Sequence, residues 1–192
     1  MLNIKSVKDL KVGDVGFYVI AGRVGGLVSF GQWLIDAANL ARGRETEQAW
    51  FTHAFIVIDV SEAGVCILEA MPSGARPVWI EGTERCGPGY GWARLPLNVL
   101  HTTYIQDAGP GLIGTPYSFL DYLSLALLHL GAPRSWTAGR VKDSGHMICS
   151  QLVDYLLCQA GFKLFDDGRL PQDVTPGALF RKCGGVGEVM WW

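Results

Sequence analysis

Two apolar runs, Val57-Ile58-Asp59-Val60 and Val65-Cys66-Ile67-Leu68-Glu69-Ala70, flank the short loop Ser61-Glu62-Ala63-Gly64. No other feature constrains the chain as much. Runs rich in β-branched residues and joined by a few turn residues read as a β-hairpin, and a hairpin needs further strands to be stable. If Val60 pairs with Gly64, Phe55 lies opposite Glu69 and His53 stands one diagonal step away on the same face. A slip of one residue would send Glu69 to the other face, and the sequence alone leaves that register open.

The other strands are close by. Lys11-Val12-Gly13-Asp14 reads as a turn feeding an apolar strand that runs to Ile20, and Pro77-Val78-Trp79-Ile80 and Gly91-Trp92-Ala93-Arg94-Leu95 add two more. Helical spacing predicts helices from Leu27 to Ala41, from Asn98 to Gln106 and from Tyr117 to Leu130. Asn98 is the natural N-cap of the second, and Gly131 with Pro133 stops the third. Arg42 to Gln48 and Arg134 to Gly145 read as polar loops. In a last helix, Cys149 to Ala160, residues Leu152, Val153, Leu156, Leu157 and Ala160 form an apolar stripe. Gln151, Asp154, Tyr155 and Gln159 form the opposite, polar face, and Gly161 is the C-cap. Cys149 precedes Leu156 by two turns and shares the inward face. The expectation is one α+β domain over residues 1–192, an antiparallel sheet or partial barrel packed against helices.

With 49% hydrophobic and 18% charged residues, the chain has ample apolar material for a folded core. Lys and Arg are scattered and the net charge is −2, so the basic stripe of a nucleic-acid binder is missing and no such partner is expected. Met1 to Ser6 lack the basic start and apolar core of a secretory signal. The most apolar stretch, Tyr117 to Gly131, contains Asp121 and Ser124 and falls short of the ~20 residues of a membrane span. A buried helix, and no transmembrane segment, is the reading. The five cysteines form no zinc-type cluster, and their odd number favours free thiols in a reducing, cytoplasmic compartment. Cys66 reads as a small core residue, whereas Cys86 and Cys183 carry no legible role. No metal or cofactor is expected.

Chemistry concentrates at two points. His53 stands at the entrance of an apolar strand, and Cys149 is the first residue of a helix. A thiol there, with an imidazole to take its proton, is the minimal apparatus for thiolate attack on an acyl group. The helix N–H groups stabilise both the thiolate and the oxyanion that follows. Taken singly, such a Cys is more often a core residue, and such a His more often caps a strand end. His101 and His129 lie in apolar helical runs and read as packing or hydrogen-bonding groups. His146 is a rival base three residues before Cys149, but its extended approach to the helix would point it away from the sheet. Tyr117 has two readings, a donor to the oxyanion or substrate and an aromatic anchor at a helix start. The seven tryptophans read mostly as core or rim packing.

In order along the chain stand Gly13-Asp14, Thr52-His53-Ala54-Phe55-Ile56-Val57 and Leu68-Glu69-Ala70. Gly114-Thr115-Pro116-Tyr117, Cys149-Ser150-Gln151-Leu152-Val153 and Thr175-Pro176-Gly177-Ala178-Leu179-Phe180 follow. This succession resembles the circularly permuted branch of the NlpC-type papain-like cysteine peptidases, the YiiX-like group. Its His-before-Cys order is the specific part, since unpermuted relatives run Cys before His. The resemblance spans Lys11 to Phe180. It implies a permuted papain-like core with Cys149 as nucleophile, His53 as base and Glu69 orienting the imidazole, a role that papain-like sites also give to an amide, a second His or a backbone carbonyl. One departure is Gln151, where the family commonly has Glu. On the polar helix face it is expected to matter little to the thiol.

Three functions remain open on this reading. The first is a cysteine hydrolase of amides or esters acting on a small-molecule or peptide/acyl substrate, with peptidoglycan-type isopeptides or N-acyl amides suggested by the resemblance. The second is an acyltransferase or lipid hydrolase of the lecithin retinol acyltransferase kind, favoured by the apolar helix after Tyr117. The third is a non-catalytic binding module, which gives no reason to keep Cys149, His53 and Glu69 together.

Overall fold

The structure, a computed structural model, describes residues 2–20, 33, 40, 51–117, 147–168 and 174–191. The expected helices over 27–41 and 117–130 lie outside these residues, except for Trp33 and Leu40, both helical, and Tyr117. The polar loops at 42–48 and 134–145 also lie outside them, as do His129 and His146.

Among the described residues six strands build the sheet: β1 (Val15–Tyr18), β2 (His53–Ser61), β3 (Gly64–Met71), β4 (Gly74–Ile80), β5 (Tyr90–Arg94) and β6 (Glu188–Trp191). Their order is β4-β3-β2-β1-β5-β6, and every neighbouring pair is antiparallel. With the helices α1 (Val99–Ala108), α2 (Cys149–Gln159) and α3 (Pro176–Val186), the chain is α+β.

The hairpin forms with a different tip from the one expected. Ser61 pairs with Gly64 and Val60 with Val65, one residue away from the Val60–Gly64 pairing. A β-bulge then inserts Ile58 between Val57 and Asp59, and beyond it Phe55 does lie opposite Glu69. The bulge decides the chemistry. In the register of the tip Glu69 would face Ile56, and its carboxylate would leave the sheet face that carries His53.

Both faces of the sheet are covered, so His53 to Ile58 are all buried and the strand reads as an unbroken apolar run. On one face Ala54, Ile56, Leu68 and Phe17 meet Leu152, Val153 and Leu156 of α2 and Leu179 and Phe180 of α3. On the other, Phe55, Val57, Ile67 and Trp92 are covered by Leu2, Ile4, Val7 and Leu10 of the N-terminal segment. Gly16 sits opposite Phe55, and a Cβ on it would come 2.2 Å from the Phe55 ring. The missing side chain is what lets that ring lie against β1.

Local signals explain the element ends. Asn98 Oδ1 accepts from the His101 N–H at 3.0 Å, while His101 Nδ1 accepts from the Asn98 N–H at 3.2 Å, so His101 completes the cap of α1. Beyond α2, Gly161 at φ +87° lets its own N–H reach Cys158 O and the Phe162 N–H reach Leu157 O, a Schellman closure. The Gly13-Asp14 turn is pinned by an ion pair, with Arg94 of β5 donating to both Asp14 oxygens at 2.9 and 2.6 Å. Asp14 O in turn accepts from the Val57 N–H at 2.9 Å, which ties the turn to β2.

One expectation about α2 is corrected. Gln151 and Asp154, assigned to a polar outer face, are each only 2% exposed. Gln151 Oε1 accepts from the Ile148 N–H at 3.0 Å, satisfying one of the donors left open at the helix start. The buried Gln151 side chain serves the helix terminus and does not mark a solvent face.

Candidate active site

The first turn of α2 is fixed from three sides. Gln151 caps it from within, Ser150 Oγ donates to Val174 O at 2.7 Å, and the Met147 N–H donates to Pro116 O at 3.0 Å. Val174 leads directly into α3, whose start is capped by Thr175 Oγ1 accepting from the Ala178 N–H at 3.1 Å. Cys149 is thereby held at the helix N-terminus, packed in the core on the β2 side and 2% exposed.

Cys149 and His53 are hydrogen-bonded to each other at the entrance of β2. The β2–β3 ladder ends at the Phe55–Glu69 pair, and the Ala54 N–H beyond it donates to the Cys149 sulfur. The Ser150 N–H donates there as well. Burial pushes the Cys149 thiol up, but the His53 charge and hydrogen bond, with these two backbone donors, outweigh it and bring the thiol below its ordinary range. Burial likewise pushes His53 down, yet the Cys149 thiolate and the Glu69 carboxylate raise it to about 9. Both shifts run towards a thiolate–imidazolium pair.

Glu69 lies behind the imidazole. His53 Nε2 stands 3.4 Å from Glu69 Oε2, an ion-pair approach without the alignment of a hydrogen bond. The carboxylate is fully buried and held by two arginines. Arg76 donates from Nε and Nη2 to Oε1 at 3.0 and 2.8 Å, and Arg85 Nη1 donates to Oε2 at 2.9 Å. Burial would raise the Glu69 carboxyl, but His53, Arg85 and Arg76 together hold it well below the usual carboxylate range. Tyr18 closes the cluster, its ring edge-on to the imidazole with centroids 4.8 Å apart. Burial, with Glu69 next, pushes its phenol up to about 12, so it stays neutral.

Cys149, His53 and Glu69 thus come together. Tyr117 packs against the helix-side core, and its phenol is raised by burial and by the charge of Cys149. It stays a neutral donor within electrostatic reach of the sulfur, so both of its readings stand. His101 belongs to the α1 cap. Among the described residues, no three His, Cys, Asp or Glu side chains gather as a metal site, and no helix is long and apolar enough to cross a membrane.

No protein-family model matches this chain, and no curated protein matches it.

Tyr18, Arg76 and Arg85 are not singled out by the sequence reading. Arg76 carried a signal: Met71-Pro72-Ser73-Gly74 is turn-like, and closing it as a hairpin puts Arg76 opposite Glu69. Arg85 comes from the irregular turn between β4 and β5 and carried none.

The five thiols should separate sharply. Burial pushes Cys66 and Cys183 up and takes Cys86 and Cys158 up to about 11, whereas Cys149 moves down. Iodoacetamide at about pH 6 should therefore alkylate Cys149 first, as peptide mapping would reveal. Earlier modification of the more exposed Cys158 would contradict the assignment.

Proposed function

We propose that this chain is a cysteine hydrolase of permuted papain-like arrangement, cleaving an amide or ester through a thioacyl enzyme. One observation carries the reading. The single thiol of five that is drawn towards thiolate opens a helix and is hydrogen-bonded to an imidazole backed by a buried carboxylate. The Cys149 sulfur attacks the carbonyl carbon, and the oxyanion takes the Cys149 backbone N–H at the start of α2. The His53 imidazolium gives its proton to the departing amine or alcohol, leaving Cys149 as a thioester. His53, now neutral, draws a proton from water, the hydroxide adds, and the acid departs with the thiolate restored. By resemblance, the amides are peptidoglycan-type isopeptides or N-acyl amides.

A p-nitrophenyl acyl ester tests the first half-reaction. Acid quenching during turnover should leave one acyl group, mapped to Cys149, with a burst of nitrophenolate to match. An acyl group found elsewhere, or none with turnover continuing, would remove the thioacyl route.

The pH profile follows from the same pair. Activity should rise as Cys149 ionises, below the ordinary thiol range, and fall as pH passes through about 9, where His53 loses the proton that the leaving group needs. Glu69→Gln should cut the rate by roughly 10- to 1000-fold, less than loss of the base, because Gln keeps the shape and one acceptor oxygen. It also removes the anion that helps to raise His53, so the alkaline limb should move to lower pH. A rate and profile like those of the wild type would take Glu69 out of the site.

A further inference from the structure

Arg85 is built into the molecule at some cost. It is the one non-glycine among the described residues with a left-handed backbone, at φ 56°. Its carbonyl accepts from Trp92 Nε1 at 2.8 Å, and its guanidinium lies 4.9 Å from the Phe55 ring and 5.5 Å from the Tyr18 ring. The Phe55 ring rests over Gly16 and meets Trp92 edge-on, so the stack under the guanidinium is rigid. The side chain is only 16% exposed, and all of this aims Nη1 at Glu69 Oε2, the oxygen that His53 Nε2 approaches.

We propose that Arg85 is a positioning residue that divides Glu69 between two partners, holding Oε2 at its own guanidinium and back from the imidazole, so that His53 keeps a proton it can still give away. This rests on the hydrolase reading above. The groups facing His53 are Cys149 from α2, Glu69 from β3 and neutral Tyr18 from β1, with Arg85 of the β4–β5 turn acting through Glu69 Oε2 and Arg76 of β4 through Oε1. Of these, the Cys149 thiolate and the Glu69 carboxylate strengthen the hold of the imidazole on its proton, while the guanidinium next to Oε2 weakens it. An imidazolium locked to an unshared carboxylate would be too weak an acid for the leaving group. Arg76, with two bonds to the other oxygen, keeps Glu69 ionised when Arg85 is removed.

The test is the titration of His53, followed by NMR of ring-labelled histidine and assigned by the signal lost in His53→Ala. Arg85→Met should move the His53 transition and the alkaline limb of activity upward by about one pH unit, and lower the plateau rate. Arg85→Lys, which keeps a charge but fits the ring stack less well, should move both in the same direction by less. An unmoved or lowered transition in Arg85→Met overturns the role. If that variant does not fold, Arg85→Lys decides in the same way, an upward shift supporting the role and an unmoved transition overturning it. The imidazole titrates whether or not any substrate is turned over, so an inactive wild type would count against the hydrolase reading and leave this result readable.

Discussion

Cys149→Ser should abolish turnover and leave the fold standing. The side chain is nearly isosteric, and its neighbours in the first turn, Gln151 and Ser150, hold the helix start through their own hydrogen bonds. What changes is the nucleophile. The imidazole takes the proton of a thiol drawn below its usual range, but, without the thiolate that helps to raise it, it cannot generate a useful alkoxide from serine. The expected loss is on the order of 10⁴- to 10⁶-fold, the scale seen when a nucleophile is removed from a working site. Far-ultraviolet circular dichroism and the denaturant midpoint should stay close to wild type. Retained activity towards an ester that acylates the wild type would end the thioacyl mechanism.

The second large effect is that of His53→Ala. Without the imidazole, the charge and hydrogen bond that bring Cys149 down are gone, whereas the burial that pushes it up remains. The thiol should then titrate higher than in the wild type, and alkylation of Cys149 at about pH 6 should slow by roughly 100-fold or more, because each unit of pKa is a tenfold change in thiolate there. Turnover should vanish with it. The carboxylate behind stays paired with Arg76 and Arg85, so the fold does not depend on the imidazole. His146→Ala should leave both properties nearly unchanged, and equal losses in the two variants would take the base assignment away from His53.

The pieces of this site differed in how legible they were. The hairpin, α2 and the Asn98 cap stand in the residue order, because apolar spacing and capping side chains are local signals. The facing of Phe55 and Glu69 is correct, yet the tip it was derived from is not. Alternation tells which face a residue takes, but an inserted residue such as Ile58 leaves no mark in polarity. Polarity alone puts Gln151 on an outer face, but the open donors of a helix start give a buried amide a use. Thr175-Pro176 combines an N-cap with proline at the first helical position, which is enough to announce α3. β6, four residues long, is too short for a periodic signal. The arginine clamp on Glu69 is a matter of tertiary placement, and for Arg85 it depends on an irregular turn that no local pattern specifies.

The thiolate–imidazolium pair is the centre of the account, and thiolate absorbance in the ultraviolet reports it without requiring a reagent to reach a buried sulfur. The difference between wild type and Cys149→Ser, followed across pH, isolates this one group from the other four thiols. The thiolate should already be formed below the ~8.5 of a free cysteine, and it should be lost in the same pH range when His53 is replaced by Ala. A Cys149 that ionises only at or above that value in the wild type, or one that His53→Ala leaves unmoved, would contradict it.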